Sequence, residues 1–351
     1  GRARAPVTPR GRRATGNGPS RAGMASVPTI VCRAWLKLLS LWLTPDSAME
    51  PAHAAAASAR LSGAVSGAAA ALAGSMAEYG VSESDISFSN AGQTIVGTLA
   101  MPAGEGPFPV ALLLHGFTGT RHELPVLGTE DTMFSRAARW LGERGVASLR
   151  IDFRGSGESE GAWEDTTFSG QISDAIAALD YLEMLEGVDS GNMSILGLSQ
   201  GGLVGAATAG RDARVSNLVL WSAVSNPVMS YGILLGYDNL LAGAAAGDEA
   251  LSIVLPWGAE TSLKGPFFED IFLVDPVAEI AGYGGPLLAI TGARDTTVTP
   301  QPQAGQVFLD YHEGAEALVV LDGDHIFDVL AEVTEVIDEA LAYSLAWLQA
   351  N

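Results

Sequence analysis

The chain has one cysteine, Cys32, in 351 residues. A single thiol excludes a disulfide framework and a thiolate metal cluster. Lysine is nearly absent too: Lys37 and Lys264 are the only two. From Met76 onward ten basic residues stand against 38 acidic ones, so the formal net charge of −21 understates the acidity of that part. No nucleic-acid partner is expected, since phosphate binding needs a basic patch. Acidity of this size speaks to solubility rather than to fold or chemistry. Long apolar runs are missing as well, and no later segment reaches the roughly 20 residues of a membrane-spanning helix.

The first 75 residues lack apolar periodicity. Gly1 to Gly23 is rich in Arg, Gly, Pro and Ala, and Ala54 to Gly74 in Ala, Gly and Ser. Between them Ala34 to Leu43 is a short apolar run broken by Lys37, poor as a signal peptide and too short for a membrane span. Residues 1–75 are therefore expected to be a disordered or low-complexity leader, and 76–351 one catalytic domain. These cues favour a cytoplasmic location over secretion.

What is present is a strand–helix rhythm. Ile86 to Phe88 and Thr94 to Met101 read as short strands joined at Asn90-Ala91-Gly92. Val110 to Leu114 is wholly apolar, the mark of a central strand buried on both faces. Met133 to Gly145 has helical spacing, Val146 to Ile151 is the next strand, and Phe168 to Leu185 is a long amphipathic helix. Strands follow at Met193 to Leu196, Val215 to Trp221, Leu287 to Thr291 and Ala317 to Leu321, with a closing helix over Ala331 to Leu348. The fold class is α/β, a mostly parallel central sheet flanked by helices, with ligands at the carboxyl ends of the strands. Asn226 to Asp275 breaks the rhythm with aromatic and glycine-rich stretches and no clear strand.

The stretch Asn192 to Ala209 organises the rest. Its strand runs into Gly197-Leu198-Ser199-Gln200-Gly201-Gly202, and a helical pattern begins at once. Strand, sharp turn and helix with a serine at the apex lift the hydroxyl clear of the sheet. In so glycine-rich a chain the G-x-S-x-G pattern also arises by chance, as it does at Gly157-Glu158-Ser159-Glu160-Gly161. There two carboxylates flank the serine and no helix follows, so Ser159 is read as loop and Ser199 as nucleophile.

A serine hydroxyl needs a base, and histidine is the usual one. In the elbow architecture the order along the chain is Ser, acid, His. His53 lies in the leader, His115 and His122 precede the serine, and His312 comes before the last strand rather than after it. His325, just after that strand, is the candidate base. Asp295, one tight turn after Leu287 to Ile290, is the candidate orienting acid; Asp275 is the fallback, and a surface pair with Arg294 the structural alternative. Asp322 and Asp324 are read as loop-shaping acids. The oxyanion would take the backbone N–H groups of Gln200 and of Phe117, in the loop after Val110 to Leu114. His115 is read as bracing that loop and is placed, with Tyr231, Tyr237 and Trp257, in the substrate-binding set. Phe267, Phe268 and Phe272 are read as anchors of the insertion.

Together these residues resemble the α/β-hydrolase superfamily over Ile86 to Leu348. Within it they are similar to the bacterial cinnamoyl/feruloyl esterase-like group. The matching stretches are His115-Gly116-Phe117-Thr118-Gly119 with Arg121 and Glu123, Asp152 to Ser159, Gly197 to Gly202, and Asp324-His325-Ile326-Phe327. The resemblance implies an α/β-hydrolase fold with a small inserted lid over about 226–275. It also implies a cofactor-free carboxylesterase acting on a small-molecule ester, short-chain or aryl. A monomer or homodimer is expected. Leu198 stands where histidine is common in that group. A serine peptidase or amidase of the same fold, and a non-catalytic binding protein, are the alternatives; no propeller-like repeat precedes the domain to favour the peptidase.

Overall fold

The computed structural model describes residues 80–351, so the leader expected over residues 1–75 lies outside the described residues. Strands β1 (Val81–Asn90) and β2 (Gln93–Pro102) form an antiparallel hairpin. The two turn residues, Ala91 and Gly92, both have positive φ, the geometry whose twist matches the flanking strands. Both strands start earlier or run later than the apolar pattern suggests, because β1 is mostly exposed and alternation is weak there.

The remaining sheet strands are β3 (Phe108–Leu114), β4 (Ala147–Ile151), β5 (Val188–Leu198) and β6 (Val215–Trp221). After a short hairpin outside the sheet, β7 (Leu251–Val254) and β8 (Glu260–Leu263), come β9 (Leu287–Gly292) and β10 (Glu316–Leu321). The sheet has eight strands in the order β1-β2-β4-β3-β5-β6-β9-β10. From β4 to β10 every pairing is parallel. Burial on both faces explains the uninterrupted apolar runs: along β3, Val110, Leu112 and Leu114 enter one core while Ala111 and Leu113 enter the other.

Helices α1 (Met133–Gly142) and α9 (Glu335–Ala350) pack on one face, and α2 (Phe168–Glu183) and α3 (Gln200–Arg211) on the other. Thr132 and Ser135 form a reciprocal capping box that fixes the start of α1, and the Thr167 hydroxyl caps α2 through the Gly170 N–H. The reversal of strand order beside β3 and β5 opens a crevice at their carboxyl ends.

The insertion after β6 has more structure than its sequence suggests. It comprises α4 (Pro227–Tyr231), a π-helical turn (Gly232–Gly236), α5 (Tyr237–Ala246), hairpin β7 (Leu251–Val254) and β8 (Glu260–Leu263), and α6 (Gly265–Leu273). The absence of strands expected over Asn226 to Asp275 is thus corrected: each hairpin strand has only four residues, too few for an alternation to register. Phe267 and Phe268 are fully buried and anchor the segment, each worth roughly 1.5–3 kcal/mol of burial. Polar fasteners tie it to the loop after β4. Trp163 Nε1 donates to Thr261 Oγ1 at 2.8 Å, and Lys264 Nζ lies 3.0 Å from Glu164 and 2.7 Å from Asp165. Asp270 accepts from the N–H and the hydroxyl of Ser169 in α2. Helices α7 (Pro276–Ile280) and α8 (Gln303–Asp310) complete the cover. Among the described residues no helix is long and apolar enough to cross a membrane.

Candidate active site

At the end of β5 the chain turns directly into α3, and Ser199 sits at the turn with φ 55 and ψ −114. A positive φ is costly for any residue with a Cβ and survives only where the surroundings over-determine it. Here they do. The Ser199 N–H donates to the Trp221 carbonyl at 2.8 Å, and the Ser199 carbonyl accepts from Gly202 at 3.0 Å and Val224 at 3.1 Å. A Cβ on Gly201 would collide with the Leu114 carbonyl, and one on Gly197 with the Gly201 carbonyl. Strand and helix nearly touch, so small residues two before and two after the serine are required.

The Ser199 Oγ lies 3.0 Å from His325 Nε2, and His325 Nδ1 lies 2.8 Å from Asp295 Oδ2. Asp295 is buried, and its other oxygen accepts from the N–H groups of Thr297 at 2.7 Å and Val298 at 2.9 Å. Oδ2 faces the imidazole and also accepts from Gln301 Nε2 at 3.4 Å; a proton on Nδ1 would turn the lone pair of Nε2 toward the serine. The His325 loop is shaped by Asp324, whose Oδ1 accepts from Ile326 at 2.9 Å and Asp328 at 2.8 Å. Arg294 pairs with Asp322 and Asp328 instead of its neighbour Asp295. Asp275 caps α7 through Val277 and Ala278, and His312 is bonded to the Gly285 carbonyl. Neither enters the constellation. Ser159 accepts from Val96 N–H at 2.9 Å and donates to the Asp152 carbonyl at 2.7 Å, a loop fastener.

Comparison with known proteins agrees with this architecture. The family model for the alpha/beta hydrolase fold matches residues 109–248. The structure of Est1E from Butyrivibrio proteoclasticus with ferulic acid bound superposes with a TM-score of 0.60 at 24% identity, covering 75% of this chain and 99% of that one. This chain has the α/β-hydrolase fold. The esterase EstD of Thermotoga maritima is 26% identical over 243 residues, 67% of this chain and 56% of EstD. A 31.7 kDa protein from the traX-finO intergenic region of Escherichia coli is 31% identical over 123 residues, 35% of this chain and 40% of that protein. The chain thus spans about half the length of these curated relatives or less.

Around the elbow, Gln200 is the first residue of α3, where an N–H has no partner within the helix. Gly116 brings the Phe117 loop against the serine; a Cβ on it would lie 3.5 Å from Ser199 Cβ. Two residues of the expected substrate-binding set are buried. His115 is fully buried, with Nδ1 2.8 Å from the Gly116 carbonyl and Nε2 accepting from Phe153 N–H at 3.2 Å. Burial lowers its pKa to about 4, so it is neutral near pH 7 and braces the loop. Tyr231 is buried as well: its hydroxyl bonds the Gln200 side chain and its ring packs among Phe117, Phe168 and Phe267. Tyr237 and Trp257 are exposed on the insertion, at 55% and 59%.

One residue near the site plays a part that spacing did not reveal. Glu123, with φ 61, turns its carboxyl back to accept the Gly116 N–H, bracing the loop that carries Phe117. Burial raises its pKa to about 7, against the opposing pull of the Gly116 N–H and of His325. The only sequence signal for it was its place in the resemblance. Among the described residues no cluster of three or more His, Cys, Asp or Glu is arranged to hold a metal ion.

Proposed function

We propose that the protein is a serine carboxylic ester hydrolase working through an acyl-enzyme intermediate. The observation that carries this reading is the continuous chain Ser199–His325–Asp295, ending on a strained elbow at the mouth of the sheet. In the first half-reaction His325 Nε2 takes the Ser199 proton as Oγ attacks the ester carbonyl. The resulting oxyanion accepts from the N–H groups of Phe117 and Gln200. His325 then returns its proton to the leaving alkoxide, and the carbon–oxygen bond breaks. Water repeats the sequence, giving the carboxylic acid and free Ser199. Asp295 holds the imidazole in register and stabilises its charged form without taking the proton. No cofactor enters any step.

The acyl group proposed is short-chain or aryl. Est1E, a neighbour in fold, has been seen with ferulic acid bound. Tyr237 and Trp257 are exposed on the insertion, and the proposal gives these amphipathic rings to a flat acyl group. An amidase reading draws on acylamino-acid-releasing enzyme 2 of Oryza sativa, 25% identical over 202 residues, 54% of this chain and 23% of that enzyme. A panel of p-nitrophenyl esters of two to twelve acyl carbons, methyl ferulate and aminoacyl-nitroanilides separates these readings. Ester turnover peaking at two to six carbons and lost in Ser199→Ala is expected. Anilide turnover exceeding ester turnover would make the protein an amidase, and a twelve-carbon optimum would make it a lipase.

A further inference from the structure

We infer that Tyr231 is a positioning residue of the oxyanion hole, the point through which the insertion after β6 holds both N–H donors beside Ser199. The inference rests on the esterase reading above. Its basis is that this one side chain touches both residues assigned as donors. The Tyr231 hydroxyl donates to Gln200 Oε1, and the Tyr231 ring meets the Phe117 ring edge-on at 5.5 Å and 83°.

The contact with Gln200 belongs to a buried chain with a defined direction. Burial pushes the Tyr231 phenol well above its ordinary range, so the hydroxyl stays protonated and serves as the donor. Gln200 Oε1 accepts that proton's bond, and Gln200 Nε2 donates to Gln171 Oε1 at 2.7 Å. Gln171 Nε2 in turn donates to Thr166 Oγ1 at 3.1 Å. Gln171 and Gln200 are fully buried. A buried carboxamide held at both ends cannot rotate without leaving a polar group unpaired. The residue that opens α3 is thereby clamped between α4 and α2.

Phe117 is gripped from the same side. Its ring lies 5.4 Å from Trp163, which is hydrogen-bonded to Thr261 of β8, and 5.8 Å from Phe267 of α6. Tyr231 contacts Phe267 as well, at 5.4 Å. Donors from two separate loops are therefore referenced to one aromatic cluster, to which the insertion supplies Tyr231 and Phe267. An oxyanion hole is sensitive to such support, because donors must sit within about half an ångström of the productive place. Losing a donor altogether costs about a hundredfold to a thousandfold in kcat, so losing its clamp should cost a fraction of that.

The test compares wild type, Tyr231→Phe, Gln200→Leu and the double variant on p-nitrophenyl acetate. It adds the affinity of each for an aryl trifluoromethyl ketone, which adds to a serine as a tetrahedral oxyanion, and for benzoate, a product-like ground-state ligand. Gln200→Leu keeps the backbone N–H. Each single variant should lose about tenfold in kcat and about tenfold in ketone affinity, with KM and benzoate affinity within twofold. The double variant should lose little more than either single one, since both cut the same chain. Unchanged kcat and ketone affinity in Tyr231→Phe, in a wild type whose activity needs Ser199, overturns the inference and leaves the esterase reading standing. Equal weakening of ketone and benzoate also overturns it, making Tyr231 a pocket wall. Wild type without Ser199-dependent turnover or ketone binding removes both. Should Tyr231→Phe melt out, Gln171→Leu cuts the chain at its far side and is judged by the same readings.

Discussion

Replacing Glu123 by glutamine should make the protein harder to unfold at pH 8 than wild type, and much less so at pH 5.5. Burial holds this carboxyl at about 7 in the folded protein, against an ordinary value of 4.5. Between those two values the folded chain keeps a proton that the unfolded chain has released. The stability associated with that proton is complete below pH 4.5 and is lost as pH rises to about 7. At roughly 1.4 kcal/mol per unit, the 1.5 units between pH 5.5 and 7 amount to about 2 kcal/mol for a fully desolvated group. The side chain is only part-buried, so solvent screening brings the expectation to roughly 1 kcal/mol. Glutamine keeps an oxygen for the Gly116 N–H and carries no charge to desolvate, so it should lack this slope. Urea unfolding of both proteins at pH 5.5 and pH 8 measures the difference. A stability gap that is the same at both pH values, or larger at pH 5.5, would refute the argument.

Other expectations follow from the same geometry. Ser199→Ala and His325→Ala should each lower kcat by several orders of magnitude, and the double variant little further, because the groups act as one unit; additive losses on p-nitrophenyl acetate would argue against that. Ser159→Ala should leave kcat within about twofold while costing roughly 1 kcal/mol of stability through its two loop hydrogen bonds. Gly201→Ala should abolish turnover and lower the melting temperature by several degrees, since its Cβ meets the backbone of Leu114; a wild-type-like protein would mean that the elbow is looser than described. Tyr237→Ala should raise KM for methyl ferulate more than for acetate esters, and equal effects would put Tyr237 outside the acyl site.

The elbow could be read from sequence because its constraints are local. Gly197, Ser199 and Gly201 lie within five residues of one another, and the strand and helix that need them are contiguous. Asp295 and His325 could be picked out because the superfamily order reduces a three-dimensional search to two post-strand loops. The structure brings their side chains to within hydrogen-bond reach of one another and of the serine. The insertion was opaque for the opposite reason. Its elements are four to ten residues long, below the span at which a period can be recognised. Tyr231 and Tyr237, both flanked by glycine, looked alike in sequence. Only packing distinguishes them, one enclosed by Phe117, Phe168 and Phe267 and the other left at 55% exposure. Glu123 was hidden because its bond to Gly116 depends on a left-handed backbone turn that no local residue type announces.

The pairing of Lys264 with Glu164 and Asp165 has a consequence for chemical labelling. Lys264 is the sole primary amine among the side chains of residues 80–351, and it stands where the insertion joins the rest of the domain. Amine-directed reagents therefore have a single address there. Acylating it would cancel one positive charge between two carboxylates and free the joint it closes. Its rate of labelling, slowed while the two acids hold it, would report how often that pairing opens. Within residues 80–351, a fluorophore or a resin linkage introduced through side-chain amines would be fixed to that joint, so coupling there would bear on the insertion before it bore on Ser199.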